Sequence, residues 1–212
     1  MTGAIAARLS LVQWLSPAFP TGGFAFSHGL EQAIADGLRD HAAIRDWLAQ
    51  VLLRGGGWLD AVLLARTLRG EEPGQMAALA CALAGSAERL AETVEQGRAL
   101  ARTIAAITGT PQPPRPLPVA LGVAARGLGL PVAEIVAHYL HGFAANLVLG
   151  AMRLVPLGQA QGQAMLAGLA PVILDAAVRA AEGGPDLLDG CAIGADLAAM
   201  RHETLGTRIF RT

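Results

Sequence analysis

The chain has 212 residues, of which 53% are hydrophobic, 16% charged and 4% aromatic, and this length is sufficient for one domain with a sizeable core. All 16 cationic side chains are arginine, which excludes a Walker-A phosphate loop, a Schiff-base enzyme and a lysine general base. The formal net charge of −1 provides no basic field for binding nucleic acid or an anionic membrane.

Helix-forming residues dominate the composition, with 43 Ala and 32 Leu. Near the start of the chain, Ser10 and Gln13 have the spacing of a capping box, so the first helix is expected to begin at Ser10. Two prolines and two glycines within residues 16–24 stop that helix and turn the backbone. Ser27 is expected to cap a second helix that reaches about Leu38.

Apolar residues at helical spacing predict further helices through the middle of the chain. Asp40 is expected to cap a helix that is interrupted at 55–57, after which a second stretch runs to about Arg69. Pro73 then opens a long helix in which apolar and small residues recur every seven positions, the pattern of a helix-packing seam. This helix is either continuous or broken near Gly85.

Prolines dominate residues 110–118, which are therefore predicted to form an internal loop. Because apolar helical patterns continue on both sides, we expect one shared core and a single domain over 1–212. The fold class predicted from the sequence is all-α, a single-domain multi-helix bundle with flexible N- and C-terminal segments.

Three helices are expected after this loop. Pro131 opens the first, and residues 159–182 form the second, with a kink or a break at Pro171. Asp186 is expected to cap the third, which ends where the C-terminal tail, residues 201–212, begins.

No group of residues forms a recognisable catalytic or metal site. Cys81 and Cys191 are far apart, which excludes a disulfide framework and fits a reducing cytoplasm, and Cys81 is expected to be buried and inert. His138 and His141 lie three positions apart on a helix, where they form either the polar edge of that helix or two ligands of an incomplete metal site. We therefore predict no enzymatic activity, no cofactor and no resident metal.

Two segments differ from ordinary core or surface sequence. The loop over residues 16–31 contains three of the five phenylalanines, which either fill the core or face a partner. The tail carries Ile209 and Phe210 between two arginines, a combination typical of a docking peptide.

At these two segments the sequence resembles the UreF family of urease accessory proteins. The N-terminal signature of that family is matched by Ser16, Pro17, Pro20, Gly22, Phe24, Ser27, Gly29, Leu30 and Glu31. The C-terminal signature is matched by Met200, His202, Glu203, Thr207, Arg208, Ile209, Phe210, Arg211 and Thr212, with Ile209 and Thr212 in place of the usual Leu and Ser. A further departure lies near Glu88, where Arg89 stands one position early and Thr93 takes the place of a Ser.

The resemblance implies a cytoplasmic, non-enzymatic scaffold whose partner-binding residues are those of the two signatures. UreF-like proteins bind UreD, called UreH in some species, and the complex recruits the GTPase UreG, which supplies nickel to apo-urease. It also implies a homodimer within the complex and a tail that becomes ordered on UreD. An alternative is a GTPase-activating role in which Arg208 or Arg211 acts on UreG. A weaker alternative makes His138 and His141 a nickel way-station.

Overall fold

The computed structural model describes residues 2–211, so Met1 and the predicted tail residue Thr212 lie outside the described part of the chain. Within residues 2–211 there are eleven α-helices and no β-strand, which confirms the all-α prediction. The helices are α1 (Thr2–Trp14), α2 (Leu30–Ala35), α3 (His41–Arg54), α4 (Gly56–Leu68), α5 (Pro73–Ala82), α6 (Ala87–Thr108), α7 (Leu117–Ala125), α8 (Val132–Leu154), α9 (Gln159–Gly168), α10 (Ala170–Glu182) and α11 (Ile193–His202).

Helices α4 and α8 form the centre of the molecule. Helix α4 packs against α3, α7, α8 and α10, and α8 also contacts α2, α9 and α10. One apolar cluster extends from Leu11 to Ala195 and includes residues on both sides of the proline-rich loop. At about 25 cal/mol per Å² of buried apolar surface, burial in this cluster is the main stabilising contribution to the fold.

The sequence locates most helix boundaries correctly, because capping and glycine or proline breaks are local effects. Asp40 caps α3 by accepting a hydrogen bond from Ala43 N at 2.9 Å, and Gly55 separates α3 from α4. The long helix expected from Pro73 is broken, and Ser86 caps its second part, α6. The helix expected over 159–182 is likewise divided into α9 and α10.

Two predicted starts of helices are wrong. Helix α1 begins at Thr2 rather than Ser10, and the ion pair between Arg8 and Glu134 on α8 holds its first half against the body at 2.7 Å. Asp186 does not cap the last helix, because it lies in a 3-10 turn that precedes α11. In both regions the observed start of the helix departs from a plausible local capping pattern.

Two other predicted segments differ by a few residues. Gly29, rather than Ser27, is the N-cap of the second helix, α2, which ends at Ala35 instead of Leu38, since Gly37 adopts a left-handed φ of 111°. The proline-rich loop ends two residues early, because Pro118 lies within the first turn of α7, where a missing N–H is tolerated.

Three helical stretches are long and apolar enough to cross a membrane by length and composition, namely His41–Leu68, Val132–Leu154 and Gln159–Glu182. The first and third are each two helices, with breaks at Gly55 and Leu169. Half of the apolar window in the second is buried inside the protein. In the first stretch 67% of the apolar window is buried in this way, and in the third 39%.

Candidate partner-binding site

The N-terminal signature begins with a tight turn after α1. The Ser16 carbonyl accepts a hydrogen bond from Phe19 N at 2.8 Å, and the Ser16 hydroxyl accepts one from Ala18 N at 3.2 Å. Pro17 and Pro20 are exposed on this turn and restrict its backbone. The turn redirects the chain away from α1 and across the surface of α8.

The three phenylalanines of this segment have different environments. Phe19 and Phe26 are buried, whereas Phe24 is 61% exposed. Phe24 lies in a 3-10 turn that follows Gly22, whose φ of 80° is in the left-handed region. Two of the three rings therefore fill the core, whereas Phe24 faces solvent and remains a predicted partner contact.

Close backbone packing joins this segment to α11. Gly29 has a φ of 79°, and a Cβ atom placed there would lie 2.6 Å from the backbone nitrogen of Ala199. The preceding residue, His28, also has a left-handed φ, of 52°. Only glycine fits at position 29, so the signature glycine permits this approach.

The signature then enters helix α2. Leu30 is fully buried, and the buried Ser27 hydroxyl accepts a hydrogen bond from Glu31 N at 3.3 Å. The Glu31 side chain is also buried and points toward the C-terminal end of α11. These three signature residues thus fix a carboxylate in the interior.

The C-terminal signature reaches this carboxylate through His202, the last residue of α11. His202 is 0% exposed, with Nε2 3.0 Å from Glu31 Oε2 and Nδ1 2.8 Å from Glu88 Oε2. A ring that donates to both carboxylates carries an N–H on each of its nitrogens. The neighbouring Glu203 Oε1 accepts a hydrogen bond from Ala87 N at 2.8 Å and caps α6.

The charge of Glu31 is stabilised by several donors. Burial would raise the pKa of its carboxyl, but the hydrogen bonds from His202 and from the backbone N–H groups of Ile209 and Phe210 outweigh burial and lower it. Ile209 N donates to Glu31 Oε1 at 2.7 Å, and Phe210 N donates to Oε2 at 2.9 Å. One carboxylate therefore binds both α11 and the tail.

The tail is packed against the body of the protein rather than extended from it. Phe210 is buried beside Gly150 of α8, and Arg153 lies over its ring at 5.8 Å from the centroid. Ile209, by contrast, is 65% exposed. The sequence predicted a flexible tail, whereas this structure shows a seated tail with one apolar side chain facing solvent.

Arg208 and Arg211 of the tail are both ion-paired with helix α6. Arg208 contacts Glu88 at 2.6 Å, and Arg211 forms two hydrogen bonds with Glu95, at 2.6 and 3.0 Å. Arg211 N also donates to the Ala25 carbonyl at 2.8 Å, which joins the tail directly to the N-terminal signature. The N-terminal signature and the tail therefore meet on α6 beside Glu88 and Glu95, and we call this place the junction.

An acidic row on α6 receives both signatures. Glu88 binds His202 and Arg208, Glu95 binds Arg211, and Glu92 between them lies 3.0 Å from His28 Nε2. None of these three carboxylates was among the predicted site residues. Its signal was present, since carboxylates at i, i+4 and i+7 share one helix face, but such a row is also typical of a solvated surface.

A buried polar network lies beneath the junction. Asp60 Oδ2 accepts hydrogen bonds from Arg89 at 2.6 Å and from the Tyr139 hydroxyl at 2.5 Å, and Arg89 also pairs with Glu92. Burial would lower the pKa of Arg89, but the charges of Asp60 and Glu92 raise it instead. Burial and Asp60 raise the pKa of Tyr139. Arg89 stands one position earlier than in the family pattern, and the carboxylates of Asp60 and Glu92 compensate its charge there.

Other candidates from the sequence do not form a site. His138 Nδ1 donates a hydrogen bond to the Glu134 carbonyl at 2.8 Å, and His141 is exposed. Among residues 2–211 no group of three metal-ligating side chains comes together. Cys81 is exposed, so the prediction that it is buried is wrong, because the break at 83–86 leaves its side of α5 uncovered.

Comparisons with known proteins agree with the signatures. A family model described as UreF matches residues 38–170. "Urease accessory protein UreF" of Cereibacter sphaeroides is 62% identical over 208 residues, covering 98% of this chain and 99% of the relative. Proteins with the same name from Paracoccus denitrificans and Roseobacter denitrificans are 54% and 48% identical, covering 98% and 97% of this chain and 97% and 94% of the relatives.

Proposed function

Because the chain belongs to the UreF family of urease accessory proteins, we propose that it is a non-enzymatic scaffold for urease maturation. In this role it binds UreD, called UreH in some species, and the complex recruits the GTPase UreG for nickel insertion into apo-urease. The observation that supports the proposal is the junction, where residues of both signatures form one surface on α6.

The chemistry of the junction suits a protein partner. Phe24 and Ile209 are large apolar side chains that remain exposed there, and the guanidinium groups of Arg208 and Arg211 are partly exposed beside them. Aromatic, aliphatic and arginine side chains in this combination are typical of interface hot spots. The partner surface is expected to be apolar and to carry carboxylates at its rim.

Co-purification with UreD and UreG tests this role. Ile209→Asp and Phe24→Asp place a charge on exposed junction positions, so each should abolish capture of UreD while leaving the fold intact. Ile107→Asp is the matched control, since Ile107 is 52% exposed at the other end of α6. Capture of UreD by all three variants at the wild-type level would contradict the proposed surface.

A GTPase-activating role is separable by experiment. It requires Arg208 or Arg211 to leave its carboxylate on α6 and reach the nucleotide site of UreG. In the scaffold role both arginines stay paired with their carboxylates on α6. Turnover of GTP by UreG, measured with this chain and UreD, should therefore be unchanged when both arginines are replaced by alanine; a large loss of turnover would favour the activator.

We further propose that the protein acts in the cytoplasm as a homodimer within the complex. Leu174 and Val178, one turn apart on α10, are exposed apolar residues away from the junction, and such a stripe suits contact between two copies. Sedimentation of the wild type and of Leu174→Asp tests this assignment. A dimer that persists in the variant would place the contact elsewhere.

A further inference from the structure

One buried histidine connects the tail to the body of the protein. The Glu31 oxygen that contacts His202 also accepts the hydrogen bond from Phe210 N, and the other Glu31 oxygen accepts that from Ile209 N. On the other side of the ring, Glu88 binds both His202 and the tail residue Arg208. Every contact of His202 with a carboxylate is therefore shared with the tail.

We propose that Glu31, His202 and Glu88 form a proton-operated latch, which holds the C-terminal tail on α6 and opens when His202 loses a proton. The latch regulates the junction described above. Its effect on partner binding rests on the proposed function, whereas the movement of the tail does not.

The number of N–H groups on the ring determines whether the latch is closed. An imidazolium donates to both carboxylates, but a neutral imidazole has one N–H and one lone pair. The lone pair would face a carboxylate oxygen at 2.8 or 3.0 Å, in a site from which water is excluded. That carboxylate must move away from the ring, and the tail then loses one of its hydrogen-bond acceptors.

Charged groups of both signs surround the ring. Glu31 faces His202 from α2 and Glu88 faces it from α6, where Glu88 is also paired with Arg208 of the tail. Glu203, just beyond the end of α11, faces the start of α6. With an imidazolium, two positive groups balance the two carboxylates; with a neutral ring, one buried negative charge is left uncompensated.

The direction of the response follows from these charges. Protonation of His202 favours the closed latch, so tail retention is complete at the lower pH and is lost as the pH rises. At the acid limit the latch depends on Glu31 being ionised. Since hydrogen bonds from His202 and the tail amides lower the pKa of Glu31, its carboxylate persists below the usual range.

Amide hydrogen exchange in the isolated full-length chain measures the latch directly. The protection factors of the Ile209 and Phe210 amides, corrected for intrinsic exchange, should fall by about tenfold or more as the pH is raised across the range in which the chain stays folded. The matched control is the Gln75 amide, which donates to the Glu72 carboxylate at 2.6 Å with no histidine in contact. Constant protection of the two tail amides would overturn the latch.

Two histidine variants identify the residue responsible. His202→Gln should show weak tail protection that no longer depends on pH, and His138→Gln, the control, should behave as the wild type. The same pH-dependent loss in His202→Gln would overturn the proposal. If His202→Gln does not fold, the ring ¹⁵N shifts of wild-type His202 decide: loss of a ring proton must accompany loss of tail protection.

Partner capture separates this inference from the proposed function. Capture of UreD should weaken over the same pH range in the wild type, because opening the latch disassembles the junction. If UreD is not captured at any pH while the tail amides still respond, the proposed function fails and the latch stands. If UreD is captured and the tail amides do not respond, the latch fails alone.

Discussion

The contact between Gly29 and α11 leads to a quantitative prediction for the variant Gly29→Ala. The new methyl group would meet Ala199 N at 2.6 Å and the Ala195 carbonyl at 2.9 Å, both of them backbone atoms that cannot rotate away. Overpacking of this kind costs about 1–3 kcal/mol. The left-handed φ adds about 1–2 kcal/mol for any L-residue, so the total is about 2–5 kcal/mol.

Gly22→Ala provides the control for this variant. Gly22 has a φ of 80°, nearly the same as at Gly29, but a Cβ there would meet nothing within 4 Å. Urea unfolding of the two variants should therefore give a difference in free energy of about 1–3 kcal/mol, the steric contribution alone. Equal destabilisation would refute the argument that close packing on α11 requires a glycine in the signature.

Three further predictions concern the network, an ion pair and the tail. Tyr139 is the single tyrosine of the chain, and since burial raises its pKa, tyrosinate absorbance should appear only when the protein unfolds at alkaline pH. A hydrogen bond from Arg66 lowers the pKa of Glu71, so the stability that this pair contributes is lost as the pH falls. At neutral pH Glu71→Gln should therefore unfold at a lower urea concentration than the wild type, and in acid the two should unfold at the same urea concentration. Phe210 lies outside the main apolar cluster, so Phe210→Ala should speed tryptic cleavage after Arg208, detected by mass, with little change in the melting temperature.

The local features of the fold could be predicted from the sequence. Asp40 as an N-cap, the break at Gly55 and the long helix after Pro131 each depend on residues within a few positions of one another. The errors occur where distant contacts decide. The pairing of Arg8 with Glu134 stabilises a helical turn that no local pattern indicates.

The site shows the same division between local and distant information. The resemblance selected the two signatures from residue identity, but nothing in a single sequence reveals that Glu31 and Phe210 share a hydrogen bond. The role of Glu88 was also missed, because its partners come from α11 and the tail. Pairing across such separations is a property of the packed structure, and helical periodicity carries no information about it.

The hydrogen bond from Phe210 N to Glu31 also has a consequence for biosynthesis. It links positions 179 apart, so Glu31 leaves the ribosome well before Phe210 is synthesised. A nascent chain can form α2 and the start of α6 early, yet their carboxylates lack the histidine and tail that neutralise them. The junction can therefore be recognised only on chains synthesised through Phe210, and a prematurely terminated chain would present an acidic groove to the assembly machinery instead.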